Sequence, residues 1–114
     1  MLKKKQRVSK ELFKEVFKKS KTLSSNHLSF RFYRETAVFR SKFSFIVSKN
    51  ISKKATIRNL LKRRGYSIIK QNLKKIKNSY IGFFSFKKGA EILPFGQIKA
   101  EVEALLRKSQ IKVD

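Results

Sequence analysis

The segment Lys53-Lys54-Ala55-Thr56-Ile57-Arg58-Asn59-Leu60-Leu61-Lys62-Arg63-Arg64 has residue types and spacing suited to one kind of chemistry, the holding of phosphates. On a helix of about 3.6 residues per turn, Asn59, Lys62 and Arg63 gather on one arc. Cations so arranged meet several phosphates along a groove and release counterions at each. Guanidinium forks add bidentate geometry, and Asn59 both donates and accepts at sugar or base edges. Ser48, Lys49 and the residues up to Lys54 lead into this helix, where amides and hydroxyls can serve an anion at its N-terminus. A charge run is ordinarily a solvated face. Here the run lies inside a stretch, Glu35 to Glu91, with no acid between its ends, in a chain of 30 Lys+Arg against 7 Asp+Glu and net charge +23. Such one-sided charge repels itself and calls for a polyanionic partner, nucleic acid ahead of an anionic membrane.

The same inventory argues against an active site or a metal site carried by the chain itself. No two carboxylates flank the basic block, and Glu101 and Glu103, two apart on a helix, point to different sides. His27 is the only imidazole and has no visible partner in the sequence, so it reads as a surface or satisfied residue. Serines and threonines are plentiful, but a nucleophile needs a base. The absence of Cys excludes disulfides and thiolate ligands. No apolar run approaches the roughly 20 residues of a membrane helix. The basic N-terminus lacks the apolar segment of a secretory signal, so a cytoplasmic protein is expected.

The elements that must position the block follow from periodicity. At 114 residues, with 11 Phe and 3 Tyr, the chain reads as a single domain over 1–114 able to bury a core, with 1–8 loosely held. Ser9 caps a predicted helix whose stripe is Leu12, Phe13, Val16 and Phe17, ending near Ser20. Ser24-Ser25-Asn26 reads as a loop. Leu28, Phe30 and Phe32 alternate with polar residues and Tyr33, as a half-buried strand does, and Phe43, Phe45 and Val47 suggest another. The connection Glu35 to Ser41 leaves room for a short strand through Ala37, Val38 and Phe39, so a meander of two or three strands is expected.

From Ala55 the helical period returns, with Ile57, Leu60, Leu61 and Ile68 on the packing side and Asn59, Lys62, Arg63, Tyr66 and Lys70 on the cationic side. Gly65 marks a close approach or a helix end, and Arg64 needs a polar partner or room to snorkel. Ser79 to Phe86 is a strand closed by Lys87-Lys88-Gly89. Pro94 opens a last helix with Ile98, Val102, Leu105 and Leu106 buried. The expected fold is α+β, a mainly antiparallel sheet with helices in the order α-β-β-(β)-α-β-α.

Val47-Ser48-Lys49, a short gap, and Ala55-Thr56-Ile57-Arg58-Asn59-Leu60-Leu61-Lys62-Arg63 resemble the signature of the bacterial ribonuclease P protein subunit. Arg7 and the Phe13 and Phe17 helix are similar to its opening pattern. The resemblance covers most of the chain, and the central block is its specific part. It implies a ribosomal-protein-S5-domain-2-like fold with a left-handed strand-helix-strand crossover, against the general right-handed rule. It implies an accessory subunit of a ribonucleoprotein endonuclease that removes the 5′ leader of precursor tRNA. Catalysis would be carried by the RNA, which needs Mg²⁺, and no cofactor would be bound by the chain alone. The partners implied are the catalytic RNA and precursor tRNA, with no membrane and no obligate protein partner.

By the same resemblance, Ser48, Lys49, Lys53, Lys54, Arg58, Asn59, Lys62 and Arg63 would contact RNA, and Phe13, Phe17 and Tyr33 would line a cleft for the leader. The sequence departs from the signature at Leu60 and Tyr66, where the family has Arg, and at Lys53-Lys54, where it has Gly before the Ala. RNA contacts are not carried over to Leu60 or Tyr66. Aromatics beside cations do bind single strands, although an aromatic stripe at helical spacing is more often core. Two other classes fit the charge. A small ribosomal protein fits it as well but lacks the central signature, and a membrane-active or DNA-compacting protein would not need three separate apolar stripes.

Overall fold

A computed structural model describes residues 20–112. The predicted first helix, with Phe13 and Phe17, lies outside the described residues. The described elements are strands β1 (Lys21–Ser24), β2 (Leu28–Arg34) and β3 (Lys42–Ile46), helix α1 (Ala55–Asn72), strand β4 (Tyr80–Phe86) and helix α2 (Phe95–Lys108). Short 3₁₀ turns follow α1 (Leu73–Lys75) and precede α2 (Ala90–Ile92).

The strands form one mixed sheet in the order β1-β2-β4-β3. β1 with β2 and β2 with β4 are antiparallel, whereas β3 and β4 are parallel and joined through α1. The expected meander is therefore corrected, because β4 inserts between β2 and β3. Composition explains the placement. β4 buries Ile81 and Phe83 on one face and Phe84 and Phe86 on the other, as only an interior strand can. Residues Ala37 to Phe39 are turn and bend rather than strand. β1 falls between the expected helix end near Ser20 and the expected loop, taking in Ser24; it is short, mostly exposed and sits at the sheet edge.

Register sets the core. Leu28 stands opposite Phe86 and Phe30 opposite Phe84 on one side of β4, with Phe45 beside Phe84 on the other. Their rings stack: the centroids of Phe30 and Phe84 are 4.1 Å apart and those of Phe45 and Phe84 4.8 Å. Helix α1 supplies Leu61, Ile68 and Ile69 to this face, and α2 supplies Ile98, Val102, Leu105 and Leu106. The other face carries a smaller cluster of Tyr33, Ile81 and Phe83 with Val38 and Ile46.

Gly65 allows the close contact of α1 with the sheet. A Cβ there would overlap the ring of Phe45, so the intruder is a ring, not a backbone, and the helix runs on to Asn72. This contact also corrects the placement of Tyr66. At 100° per residue it falls within the polar arc, yet it is 7% exposed. With α1 seated low at Gly65, the Tyr66 ring meets the Phe45 ring edge-on at 5.1 Å, and its hydroxyl accepts from the Phe45 amide at 3.3 Å. Leu60 departs in the opposite sense and is 39% exposed.

Candidate nucleic-acid interface

The basic block occupies the end of the sheet where β3 stops. Ser48, Lys49 and Asn50 are exposed in a turn, closed by the Ile51 amide donating to the Ser48 carbonyl at 3.1 Å. Lys53 and Lys54 are exposed and bring the chain to the first turn of α1. That turn contains no acid, and Lys54 at the N-cap supplies no side-chain hydrogen bond. The leading amides of α1 thus point toward solvent among cations, a setting that favours an anion.

Arg58 is half-buried and folds back, its Nη1 donating to the Ser52 carbonyl at 2.8 Å. The Ser52 hydroxyl accepts from the Lys54 amide at 3.2 Å. Arg58 therefore braces the loop that presents Lys53 and Lys54, and only part of its guanidinium faces outward. Asn59 and Arg63 are exposed and Lys62 half-buried, so these three share the surface predicted for them. Arg64 finds a polar partner in the Leu93 carbonyl at 3.3 Å.

Tyr33 lies at the opposite end of the sheet. It is 6% exposed and points to the face away from Phe30 and Phe32, as its alternation requires. On the other face, a cavity of about 390 Å³ is lined by Phe32, Arg34 and Tyr80 with Lys21, Ser109 and Gln110, and Tyr33 reaches its edge from the strand between Phe32 and Arg34. The Arg34 guanidinium sits 5.9 Å from the Tyr80 ring centroid. An aromatic wall beside cations suits an unstacked base and its phosphate. Register brings this group together, with Lys21 opposite Phe32 and Arg34 opposite Tyr80. Sequence reasoning missed Lys21, Arg34 and Tyr80 because the pairing is non-local. The Arg beside Tyr33 was the one local signal.

The carboxylates are engaged elsewhere. Glu101 accepts from the His27 amide at 2.9 Å, from the Ser25 hydroxyl, and pairs with His27 Nδ1 at 2.7 Å, so α2 pins the β1–β2 turn. Burial pushes the Glu101 carboxyl up, but the hydrogen bonds from Ser25 and His27, with the imidazole charge, outweigh it and leave the group below its ordinary value. His27 is thus a satisfied residue whose partner lies far away in sequence. Glu103 faces Lys112 at 3.8 Å, on a different side of α2. Among the described residues, no three His, Asp or Glu side chains stand close enough to hold a metal, and no helix is long and apolar enough to cross a membrane.

A strongly basic α+β domain with an open helix terminus among cations defines a polyanion-binding protein. The protein-family model described as Ribonuclease P matches residues 2–110, and the chain belongs to that family. It is 32% identical over 111 residues to the ribonuclease P protein component of Syntrophomonas wolfei, covering 96% of this chain and 91% of that one. It is 29% identical over 102 residues to that of Microcystis aeruginosa, covering 87% and 85%. The fold matches the ribonuclease P protein of Staphylococcus aureus with a TM-score of 0.86 at 17% identity, over 95% of this chain and 98% of that one. The family role is that of an accessory subunit in a ribonucleoprotein endoribonuclease of tRNA 5′ processing, with hydrolysis belonging to the RNA.

Proposed function

We propose that this chain docks on the catalytic RNA through Ser48, Lys49, Lys53, Lys54, Asn59, Lys62 and Arg63, with Arg58 bracing the loop, and that it holds the precursor tRNA leader along the Tyr33 side. The observation that carries the docking is the acid-free, uncapped start of α1 set among exposed cations. Phosphates there replace solvent at the open amides, and each cation contact releases counterions. Tyr33 serves the leader from the sheet face it shares with Ile81 and Phe83, at the same end of the sheet as Arg34 and Tyr80. Phe13 and Phe17, assigned to the same cleft by the family resemblance, complete this reading.

The chain acts as one RNA-binding unit over its length, in the cytoplasm with its RNA partners. The Mg²⁺ of the holoenzyme belongs to RNA phosphates. The described carboxylates do not fit a hard cation: Glu35 accepts from the Ala37 amide at 3.1 Å, Glu91 from the Gly89 amide at 3.0 Å, and Glu101 and Glu103 are engaged as above. When bound, Mg²⁺ supplies water activation and leaving-group stabilisation. This chain's residues hold and orient the two RNAs.

The test is cleavage of precursor tRNA by a bacterial ribonuclease P RNA at low Mg²⁺, with and without the chain. Faster cleavage with it supports the reading. Equal rates, or cutting by the chain without RNA, overturn it.

A further inference from the structure

Phe39 is 74% exposed, in the β2–β3 connection, where a ring of that size gains nothing from water. The connection is nonetheless held firmly. The Ser79 amide donates to the Phe39 carbonyl at 2.9 Å, the Glu35 amide to the Ser79 carbonyl at 2.8 Å, and the Val38 amide to the Glu35 carbonyl at 3.2 Å. Ser79 adopts φ of 69°, a left-handed conformation unfavourable for a serine, while making these bonds. Just beyond, the Ser41 hydroxyl donates to the Lys77 carbonyl at 2.6 Å and accepts from the Tyr80 amide at 2.9 Å. The ring is thus presented on a pinned backbone.

An open recess of about 320 Å³ lies beside it, lined by Val38, Phe39, Arg40 and Lys42. Neither Arg40 nor Lys42 faces a carboxylate in an ion pair among the described residues. Glu35, the loop's one acid, is turned onto the Ala37 amide. An exposed aromatic ring flanked by unpaired cations matches the two needs of an unstacked nucleotide, a face for its base and charge for its phosphate.

Position decides which RNA. The recess stands at the end of the sheet opposite the start of α1, a five-residue strand or roughly 17 Å away. It stands instead beside the Tyr33 side chain, because Val38 of its wall packs against the cluster of Tyr33, Ile81 and Phe83. We infer that Phe39, with Arg40 and Lys42, forms a distal subsite for a leader nucleotide of precursor tRNA, continuing the track beyond Tyr33. The inference rests on the leader reading above.

The test measures precursor tRNA affinity of the reconstituted holoenzyme, using a long leader and one cut to a single nucleotide. Phe39→Ala should reduce the long-to-short affinity ratio about tenfold, the order of one lost base stack, and Phe39→Tyr should restore it. An exposed ring bears little of the core, and matching thermal melts confirm that the fold is kept. An equal loss for both leaders overturns the subsite and places Phe39 against the catalytic RNA. An unchanged ratio in Phe39→Ala, alongside a reduced ratio in Tyr33→Leu, overturns the subsite alone. An unchanged ratio in both variants overturns the leader reading as well.

Discussion

On the proposed function, the two ends of the sheet bind RNA in opposite ways. Where β3 runs into α1, the surface is made of exposed cations and open amides, and its rings, Phe45 and Tyr66, are turned inward. Where β2 ends and β4 begins, Tyr80 and Phe39 put aromatic surface beside a few cations, with the Tyr33 ring buried behind them. The first arrangement holds phosphates without regard to base, and its affinity falls steeply with salt. The second depends on stacking, is less sensitive to salt and needs an unpaired strand. On that proposal one subunit grips a folded RNA at one end and a single strand at the other, and the two grips are separable by experiment.

The largest expected effect comes from unseating the cationic end. Phe45→Ala removes the ring that fills the notch at Gly65 and edges against Tyr66, and should cost about 3–5 kcal/mol of stability in a denaturant melt. A loss well under 1 kcal/mol would mean that α1 is held by other contacts. Arg63→Ala leaves the core alone and should weaken binding to the catalytic RNA by about 1–3 kcal/mol while flattening the salt slope by about one unit. An unchanged slope would take Arg63 out of the interface.

At the aromatic end, Tyr33→Leu keeps apolar volume beside Ile81 and Phe83 and should cost about 1 kcal/mol of precursor binding, with the salt slope of catalytic-RNA binding unaltered. A changed slope would merge the two grips into one. The smallest effect is pH dependence away from both. Glu101 is held below its ordinary value of 4.5, so its stabilisation is complete above that pH and is lost as pH falls through the lower folded value. Glu101→Gln should flatten that part of the acid melt without changing the salt slope of RNA binding.

The cationic end was legible in the sequence because it is contiguous. The residues from Ser48 to Arg63 carry both the signature and the helical period that sorts Leu61 from Asn59. The stripe of α2, Ile98 to Leu106, was legible for the same reason. Tyr66 was misplaced because the angle on a helical wheel ignores how low the helix sits, which Gly65 decides through a ring from another strand. The strand order was hidden because pairing is non-local, although the two-faced apolarity of β4 already pointed to an interior position. β1 gave no signal, being short, polar and at the edge. The aromatic end was half visible: Tyr33 and Arg34 are adjacent in sequence, but Lys21, Tyr80 and Gln110 join them only through register and the turn after α2.

Photocrosslinking from two positions in the assembled holoenzyme tests the division most directly. A crosslinker at position 63 should mark the catalytic RNA, and one at position 33 should mark the precursor leader. Exchange of the two targets, or both positions marking the same RNA, would contradict the account.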